Sequence, residues 1–203
     1  MSLTSLDNKY TDKNTIHSYL PLYETLLQPI KESARAVLEV GVFKGGSIKL
    51  WHDYFKNASI YGCDISDNIF RGAEKRLKLI SKLNRSRSRI IKTLRESDRI
   101  ILYLNEDSYT EQYVTKFNNI KFDFMLDDGP HTLQSQKDFI KLYSHLLSDN
   151  GILIIEDVQD IKWIDELKNI TPENLKQYIK IYDLRKNKGR YDDIVFTIDK
   201  VNR

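Results

Sequence analysis

Short apolar runs alternate with amphipathic runs along this chain from about residue 36 onward. Five of the apolar runs have the length and composition of β-strands, and they cover residues 36–40, 60–63, 100–104, 122–126 and 151–155. The segments between them carry apolar residues at helical spacing, as residues 68–83 and 133–147 do. Strands that alternate with helices are typical of a parallel sheet covered on both faces. The pattern predicts an α/β fold, and taken alone it allows either a Rossmann or a flavodoxin-like arrangement.

The end of the chain breaks this alternation. Two further strand-like runs, at 180–184 and 193–198, are separated by a polar turn with the sequence KNKGR, which predicts an antiparallel hairpin. A length of 203 residues fits a single domain. Within it we expect residues 1–35 to form a helical lid or cap, and residues 36–203 to form the core that contains the sheet.

Two acidic pairs follow the fourth and fifth predicted strands. Asp127 and Asp128 come directly after the fourth strand, and Glu156 and Asp157 come directly after the fifth. The carboxyl ends of neighbouring parallel strands lie side by side, so the four carboxylates would repel each other unless a cation lies between them. A hard divalent cation with oxygen ligands is the natural candidate. His131 lies just beyond the first pair, where it could accept a proton.

The first three predicted strands also end in residues suited to a ligand. Gly41 and Gly45 follow the first strand and allow the backbone to turn sharply and approach a ligand closely. Asp64 ends the second strand, where an acidic residue can accept hydrogen bonds from both hydroxyls of a ribose. Asp107 and Ser108 follow the third strand, beside the position of an adenine ring. Open α/β sheets bind ligands at this edge, so the features together predict a nucleotide-like ligand.

Composition excludes some classes of protein, and the one run of charged residues suggests a solvated surface. The one cysteine, Cys63, cannot form an intramolecular disulfide, and a net charge of +3 is too weak to indicate nucleic acid. We found neither a signal-peptide pattern nor an apolar run near the roughly 20 residues of a membrane span, which predicts a cytoplasmic protein. The stretch RSRSR at 85–89 fits a solvated loop, or else a contact with an anionic substrate or partner.

Four motifs together resemble one family of enzymes. They are LEVGVFKGGSIKLW, IYGCDIS, DFMLDDGPH and ILIIEDV. The family is the class I, S-adenosylmethionine-dependent, metal-dependent O-methyltransferases that act on sugars of natural products, of the mycinamicin and macrocin type, whose core is shared by cephalosporin hydroxylase-like sequences. The resemblance covers about residues 10–200. It implies a Rossmann-like class I methyltransferase fold, with a mostly parallel seven-stranded sheet and a C-terminal antiparallel hairpin around a catalytic core.

The resemblance also implies a binding site for S-adenosylmethionine. The turn from Gly41 to Ser47 would hold the methionine end of the cofactor, with Glu39 supporting the turn. Asp64 would bind the ribose hydroxyls. The cofactor-binding residues that the resemblance implies are Glu39, Gly41, Gly45, Ser47, Asp64, Ile65, Asp107, Ser108 and Asp127.

A metal ion and a general base follow from the same resemblance. Asp128, Glu156 and Asp157 would bind Mg²⁺ or another hard divalent cation. His131 and Asp128 would be the catalytic residues, with His131 as the general base. Because the catechol methyltransferases place a metal-binding aspartate at the end of this strand, Asp127 is the alternative ligand, or else it lies near the sulfonium of the cofactor.

The N-terminal and C-terminal ends leave further alternatives open. The motif TDKNTIHSYLPLYETLL resembles the family's opening motif, and it contains residues that could form a lid over cofactor or substrate: Asp12, Lys13, His17, Tyr19 and Tyr23. The alternative is a capping helix with an exposed histidine. Four charged residues at the hairpin turn fit a plain solvated turn, or else a substrate or subunit contact: Arg185, Arg190, Asp192 and Asp193.

The resemblance implies transfer of a methyl group to a hydroxyl of a sugar, a glycan or a glycosylated small molecule. Three alternatives remain at this point: a nucleic-acid methyltransferase, an oxidoreductase or hydroxylase on the same scaffold, and a protein without catalytic activity. The sequence does not distinguish the acceptor or the hydroxyl that is methylated. Small size and aromatic content point to a homodimer, and neither a membrane nor nucleic acid is an expected partner.

Overall fold

The computed structural model describes residues 1–6, 11–70 and 82–202, and it describes residues 82–86 by their backbone alone. Within these residues the centre of the fold is a sheet of seven strands in the order β3-β2-β1-β4-β5-β7-β6. The strands are β1 (Ala36–Val40), β2 (Ser59–Asp64), β3 (Ile100–Leu104), β4 (Phe122–Asp127), β5 (Leu147–Ile155), β6 (Ile179–Asp183) and β7 (Ile194–Asp199).

The pairing of the strands matches the predicted class I methyltransferase fold. Strands β1 to β5 pair in parallel. Strand β7 lies between β5 and β6 and is antiparallel to both. The predicted hairpin is confirmed, and the later of its two strands is the one that joins the parallel part of the sheet. The carboxyl ends of β1, β2, β4 and β5 therefore meet at one edge.

Helices connect the strands and cover the sheet. The α-helices are α1 (Asp12–Thr15), α2 (Tyr19–Leu27), α3 (Gly46–Tyr54), α4 (Lys82–Glu96), α5 (Glu111–Val114), α6 (Leu133–Tyr143), α7 (Trp163–Ile170), α8 (Glu173–Lys176) and α9 (Arg185–Lys188). Short 3₁₀ helices cover Leu3–Ser5, Gln28–Ile30, Thr115–Phe117 and Ser144–Leu146. Among the described residues, no helix is both long and apolar enough to cross a bilayer.

The structure corrects one local prediction and leaves another largely outside the described residues. The stretch at 85–89 was expected to be a loop, but it lies in α4. Arginine is a good helix former, and Ile90 and Leu94, one turn apart, are buried on one face of this helix. The helix predicted for 68–83 begins as a turn at Asn68, and residues 71–81 lie outside the described part of the chain.

Two hydrophobic clusters lie on the two faces of the sheet. Successive residues of β5 alternate between them: Ile152 and Ile154 belong to one cluster, and Leu153 and Ile155 belong to the other. This alternation is the pleat of a strand that is buried on both faces. Helix α2 belongs to the first cluster, with Leu20, Tyr23 and Leu27 fully buried. The N-terminal segment is thus packed into the core, and the division into a lid of 1–35 and a core stays a prediction.

Candidate functional site

A cavity of about 840 Å³ opens at the carboxyl edge of the sheet. Nine of the residues predicted for the site line it: Asp12, Gly41, Ser47, Asp64, Ile65, Asp107, Ser108, Asp128 and His131. The other predicted residues do not line it; they are Glu39, Gly45, Asp127, Glu156, Asp157, Lys13, His17, Tyr19 and Tyr23. All of these except Gly45 are polar or aromatic side chains buried around the site.

Both glycines of the turn after β1 are required by the protein's own packing. Gly41 has φ +95°, and a Cβ there would lie 1.8 Å from the carbonyl oxygen of Asp128. Gly45 has φ +75° and caps α3, where a Cβ would meet the side chains of Leu94 and Ile69. The sequence led us to expect that a ligand would approach the backbone at Gly41. In the structure the backbone of Asp128 makes this close approach, so the ends of β1 and β4 lie together.

Asp64 fixes the same turn from the end of β2. Its Oδ2 accepts hydrogen bonds from the backbone amides of Val42, at 2.9 Å, and Phe43, at 2.8 Å. Its Oδ1 accepts one from the amide of Ser66 at 2.8 Å. Phe43 has φ +47°, an unfavourable value for a side chain of this size, so Asp64 stabilises a strained turn.

Glu39 links β1 to α3 from beneath the turn. It is fully buried, and it accepts hydrogen bonds from Ser47 Oγ at 2.5 Å and Trp51 Nε1 at 2.6 Å. Burial raises the pKa of Glu39 to about 8, and these two donors oppose the rise. The position agrees with the expectation that Glu39 supports the turn.

Asp127 and Asp128 point to different surroundings. Asp127 accepts a hydrogen bond from the Tyr109 hydroxyl and is almost fully buried, which raises its pKa to about 7. Nearby, Asp107 Oδ1 accepts from the Tyr109 amide at 2.9 Å. Asp128 instead faces Glu156 and Asp157. Of the two aspartates, the geometry therefore favours Asp128 as the ligand of a cation.

A lysine lies within the group of carboxylates. Lys13 Nζ donates to Asp128 Oδ2 and to Glu156 Oε1, at 2.5 Å each, and Lys13 is completely buried. Burial acts to lower the pKa of Lys13, but the two carboxylates outweigh it and raise the pKa above its ordinary value. Burial and the charge of Asp128 raise the pKa of Glu156. A side-chain ammonium thus lies against two of the four carboxylates, Asp128 and Glu156.

Aromatic residues of the N-terminal segment hold the second acidic pair. The Tyr19 hydroxyl donates to Asp157 Oδ1 at 2.5 Å, and the Tyr23 hydroxyl donates to Glu156 Oε2. The ring of His17 stacks on Tyr19 with 4.9 Å between centroids. These side chains lie behind the carboxylates, so in this structure they form a buried wall of the site.

Two interpretations of the charged termini are wrong. His17 was considered as an exposed residue of a capping helix, but it lies between α1 and α2 and is 4% exposed, with Nδ1 2.5 Å from Asp193 Oδ1. The hairpin cluster was expected to be a solvated turn. Asp192 and Asp193 are buried instead, while Arg185 and Arg190 remain partly exposed. Asp193 can be buried because the imidazole of His17 is its hydrogen-bond partner.

His131 lies at the mouth of the carboxylate group. Its Nε2 is 3.7 Å from Asp128 Oδ1 and 3.6 Å from Asp157 Oδ2. The backbone of His131 has φ +54° and that of Asp157 has φ +56°. Left-handed conformations at residues other than glycine are uncommon and concentrate at functional sites. The two turns that follow β4 and β5 thus direct a histidine and a carboxylate at one point.

The donor atoms fit a hard divalent cation. Among the described residues, Asp128, His131 and Asp157 each offer a ligand atom within 4.8 Å of the others. Asp12, Asp128 and Glu156 do the same, so Asp128 belongs to both groups. Carboxylate oxygens are the ligands that Mg²⁺, Mn²⁺ and Ca²⁺ prefer. In this structure the ammonium of Lys13 already lies against two of these ligands, Asp128 and Glu156.

A family model described as a methyltransferase domain matches residues 38–158, which is more than half of the chain. The chain belongs to the methyltransferase-domain family. The matched residues begin within β1 and end just after Asp157, so the methyltransferase domain includes the glycine turn, Asp64 and both acidic pairs.

Curated relatives confirm the family resemblance found in the sequence. The chain is 26% identical over 160 residues to 8-demethyl-8-α-L-rhamnosyl tetracenomycin-C 2′-O-methyltransferase of Streptomyces olivaceus, an alignment that covers 75% of this chain and 36% of that protein. It is 26% identical over 171 residues to mycinamicin VI 2″-O-methyltransferase of Micromonospora griseorubida, covering 79% and 37%. The chain thus spans little more than a third of the length of these relatives.

A solved structure shows the same fold. The MycE methyltransferase from the mycinamycin biosynthetic pathway, crystallised with Mg and SAH, superposes with a TM-score of 0.68 at 18% sequence identity. The alignment covers 98% of this chain and 54% of that chain. At this identity the likeness establishes the fold.

The position of Lys13 and the role of Tyr109 were not predicted. Lys13 was considered as part of a lid, and Tyr109 was not considered at all. Four carboxylates at one edge signal that a cation is needed, but they do not show which residue supplies it. No spacing in the sequence links Tyr109 to Asp127.

Proposed function

We propose that this protein is an S-adenosylmethionine-dependent O-methyltransferase that methylates a hydroxyl of a sugar or of a glycosylated small molecule, and that it uses a divalent cation. The observation that carries the proposal is the group formed by Asp128, Asp157 and His131 at the mouth of the cavity. Oxygen ligands beside an imidazole are suited to the deprotonation of an alcohol. The curated relatives are named as O-methyltransferases that act on an α-L-rhamnosyl tetracenomycin and on mycinamicin VI.

The cofactor would occupy the part of the cavity next to β1, β2 and β3. The turn from Gly41 to Ser47 would hold the methionine end, and the N-terminus of α3 offers backbone amides there. Asp64 and Ile65 would bind the ribose and the adenine, and Asp107 and Ser108 would border the adenine; these residues line the cavity. Asp64 would then have to accept hydrogen bonds from both the cofactor and the turn.

A divalent cation would be held by Asp128, Glu156 and Asp157. When bound, it would supply a positive charge that binds the reacting hydroxyl and lowers its pKa. The chain's own carboxylates fix where this charge is placed, because Tyr19 and Tyr23 hold Asp157 and Glu156 by hydrogen bonds. The assignment of Asp128 over Asp127 is part of the proposal.

His131 would act as the general base. As the acceptor oxygen forms its bond to the methyl carbon, the bond from that carbon to sulfur breaks, and the hydroxyl proton passes to an imidazole nitrogen of His131. The neighbouring carboxylates of Asp128 and Asp157 would stabilise the imidazolium that results. The cavity holds the reactants in line and limits the access of water.

The first experiment is a calorimetric titration with S-adenosylhomocysteine, with and without Mg²⁺, on the wild type and on Glu156→Ala. We expect the wild type to bind the cofactor product. We expect Glu156→Ala to retain this binding and to lose Mg²⁺ binding, because the two sites use different residues. A wild type that binds no S-adenosylhomocysteine at any Mg²⁺ concentration would overturn the proposal. The homodimer expected from the sequence stays a prediction.

A further inference from the structure

The side chain of Lys13 ends between two carboxylates that the proposed function assigns to a divalent cation. Its Nζ lies 2.5 Å from Asp128 Oδ2 and 2.5 Å from Glu156 Oε1. Lys13 has no exposed surface, and Glu156 is 1% exposed. A buried ammonium in contact with two carboxylates neutralises charges that would otherwise repel each other in a medium of low dielectric constant.

An ammonium and a divalent cation would compete for the same oxygens. Ca²⁺ binds oxygen at about 2.3–2.6 Å and Mg²⁺ at about 2.0–2.1 Å, which is close to the Nζ distances of Lys13. A divalent ion on Asp128 Oδ2 and Glu156 Oε1 would therefore lie almost on the Nζ atom. Overlap and the repulsion between two cations exclude simultaneous binding in this geometry.

Lys13 belongs to a segment that covers the cavity. It lies in α1, and Thr11, Asp12 and Ile16 of this segment line the cavity. The segment is attached at its far side by Lys188, whose Nζ donates to the carbonyl oxygens of Asn14 at 2.6 Å and of His17 at 2.8 Å. Because Lys13 is completely buried and α1 carries it, its side chain cannot leave the carboxylates for solvent unless α1 moves relative to the cavity.

We propose that Lys13 and a divalent cation bind alternately to Asp128 and Glu156, so that the metal-free protein is closed by Lys13 and metal binding releases α1 from the cavity. The inference rests on the proposed function, because it presupposes a divalent cation at these carboxylates. It makes Lys13 a residue that sets the apparent affinity for the metal. That affinity is reduced by the fraction of molecules in which Lys13 occupies the carboxylates.

The first test compares Mn²⁺ binding by the wild type, Lys13→Met and Lys31→Met, with free Mn²⁺ measured by electron paramagnetic resonance. Lys31→Met is the matched control, because it also replaces an ammonium by a methionine side chain. The ammonium of Lys31 contacts the Met1 carbonyl and the Tyr54 ring. We expect Lys13→Met to bind Mn²⁺ at least about tenfold more tightly than the wild type. We expect Lys31→Met to stay within about twofold. Equal affinity of Lys13→Met and the wild type would overturn the inference.

A second test uses the wild type alone, so it stands even if Lys13→Met does not fold. Because Lys13 is completely buried, trypsin should cleave after it slowly in the presence of EDTA. We expect saturating Mn²⁺ to accelerate cleavage after Lys13 several-fold, measured by mass spectrometry, with cleavage after Lys31 as the internal reference. Cleavage after Lys13 that is slowed or unchanged by bound Mn²⁺ would show that α1 is not released.

The two tests separate the inference from the proposed function. If Mn²⁺ binds the wild type and Lys13→Met equally and leaves the cleavage unchanged, the competition is overturned and the metal site stands. If Mn²⁺ binds neither protein, the metal site fails and the competition fails with it. Tighter binding by Lys13→Met together with faster cleavage in the wild type supports both.

Discussion

The two halves of the ligand-binding edge are stabilised in different ways. At the ends of β1 and β2, one turn is fixed by contacts that are close in the sequence: Asp64 bonds to the amide of Val42, 22 residues away, and Glu39 to Ser47, eight residues away. At the ends of β4 and β5, the carboxylates of Asp128, Glu156 and Asp157 are held by residues far along the chain, and Lys13 and Glu156 are 143 residues apart. Local contacts build the cofactor half, and long-range side-chain contacts build the acidic half.

Because of this difference, substitutions in the two halves should have different effects. The cofactor half depends on backbone geometry, so changes in the turn should affect folding and cofactor binding together. The acidic half depends on charge balance and on hydrogen bonds between side chains. Changes there should separate catalysis and metal binding from folding.

The sharpest test of this separation is His131→Ala. We expect kcat to fall by about 10²–10⁴-fold, because a general base contributes about that much to a proton transfer. Affinity for S-adenosylhomocysteine, measured by calorimetry, should change less than about threefold, since the cofactor half is untouched. A variant with full activity would remove His131 from the mechanism.

Gly41→Ala tests the point at which the two halves meet. A Cβ at Gly41 would lie 1.8 Å from the carbonyl oxygen of Asp128, so β1 and β4 would have to separate at the edge. We expect a loss of about 3–5 kcal/mol in the free energy of unfolding, measured by urea denaturation. The matched control is Gly189→Ala, where φ is +72° but nothing lies within 4 Å. It should cost only about 1–2 kcal/mol of backbone strain. Equal losses in both variants would contradict the crowding at Gly41.

Asp127→Asn tests the effect of burial on the pKa of the carboxyl group at the end of β4. Burial raises the pKa of Asp127 to about 7, well above the value of about 3.9 in an unfolded chain. The native state therefore binds this proton more tightly, so stability falls as pH rises from about 4 to about 7 and levels off above.

We expect Asp127→Asn to lose this component of the pH dependence. In EDTA, it should gain up to about 2–4 kcal/mol relative to the wild type between pH 4 and pH 8, at about 1.4 kcal/mol per pKa unit. The measurement is urea denaturation at both pH values. The same difference between wild type and variant at pH 4 and at pH 8 would rule out a raised pKa.

The smallest effect is expected from Tyr23→Phe, which removes one hydrogen bond from the acidic half. The Tyr23 hydroxyl donates to the buried Glu156, and loss of a hydrogen bond to such a group costs about 1–3 kcal/mol of stability. Tyr54→Phe is the matched control, because its hydroxyl makes a longer bond of 3.4 Å to Glu24. Thermal denaturation should show a larger loss for Tyr23→Phe, and the reverse order would refute the role of Tyr23.

The strands of the cofactor half could be predicted from the sequence because their signals are local. Strands β1 and β3 begin and end at the predicted residues, since each is an apolar run bounded by polar residues and followed by a turn. In the acidic half, the sequence predicted the carboxylates but not the residues that hold them. The burial of Asp193 depends on His17, which is 176 residues away, and no pattern within the strand indicates that pairing.

The prediction of a loop at 85–89 failed for a different reason. A run of arginine and serine looks solvated when it is considered by itself. It forms part of α4 because Ile90 and Leu94, just beyond the run, supply the buried face. The packing of a helix is decided by one face, so a short polar window is a poor guide to it.

The contacts around the acidic half also determine when it can form. Lys13, His17 and Tyr23 are synthesised well before their partners Glu156 and Asp193. Contacts that close loops of this length have a large entropic cost and form late in folding. During synthesis, β1 to β4 can pair before the partners of the N-terminal segment exist. His17 and the hydroxyls of Tyr19 and Tyr23 therefore lack these hydrogen-bond partners until β5 and the hairpin have been added.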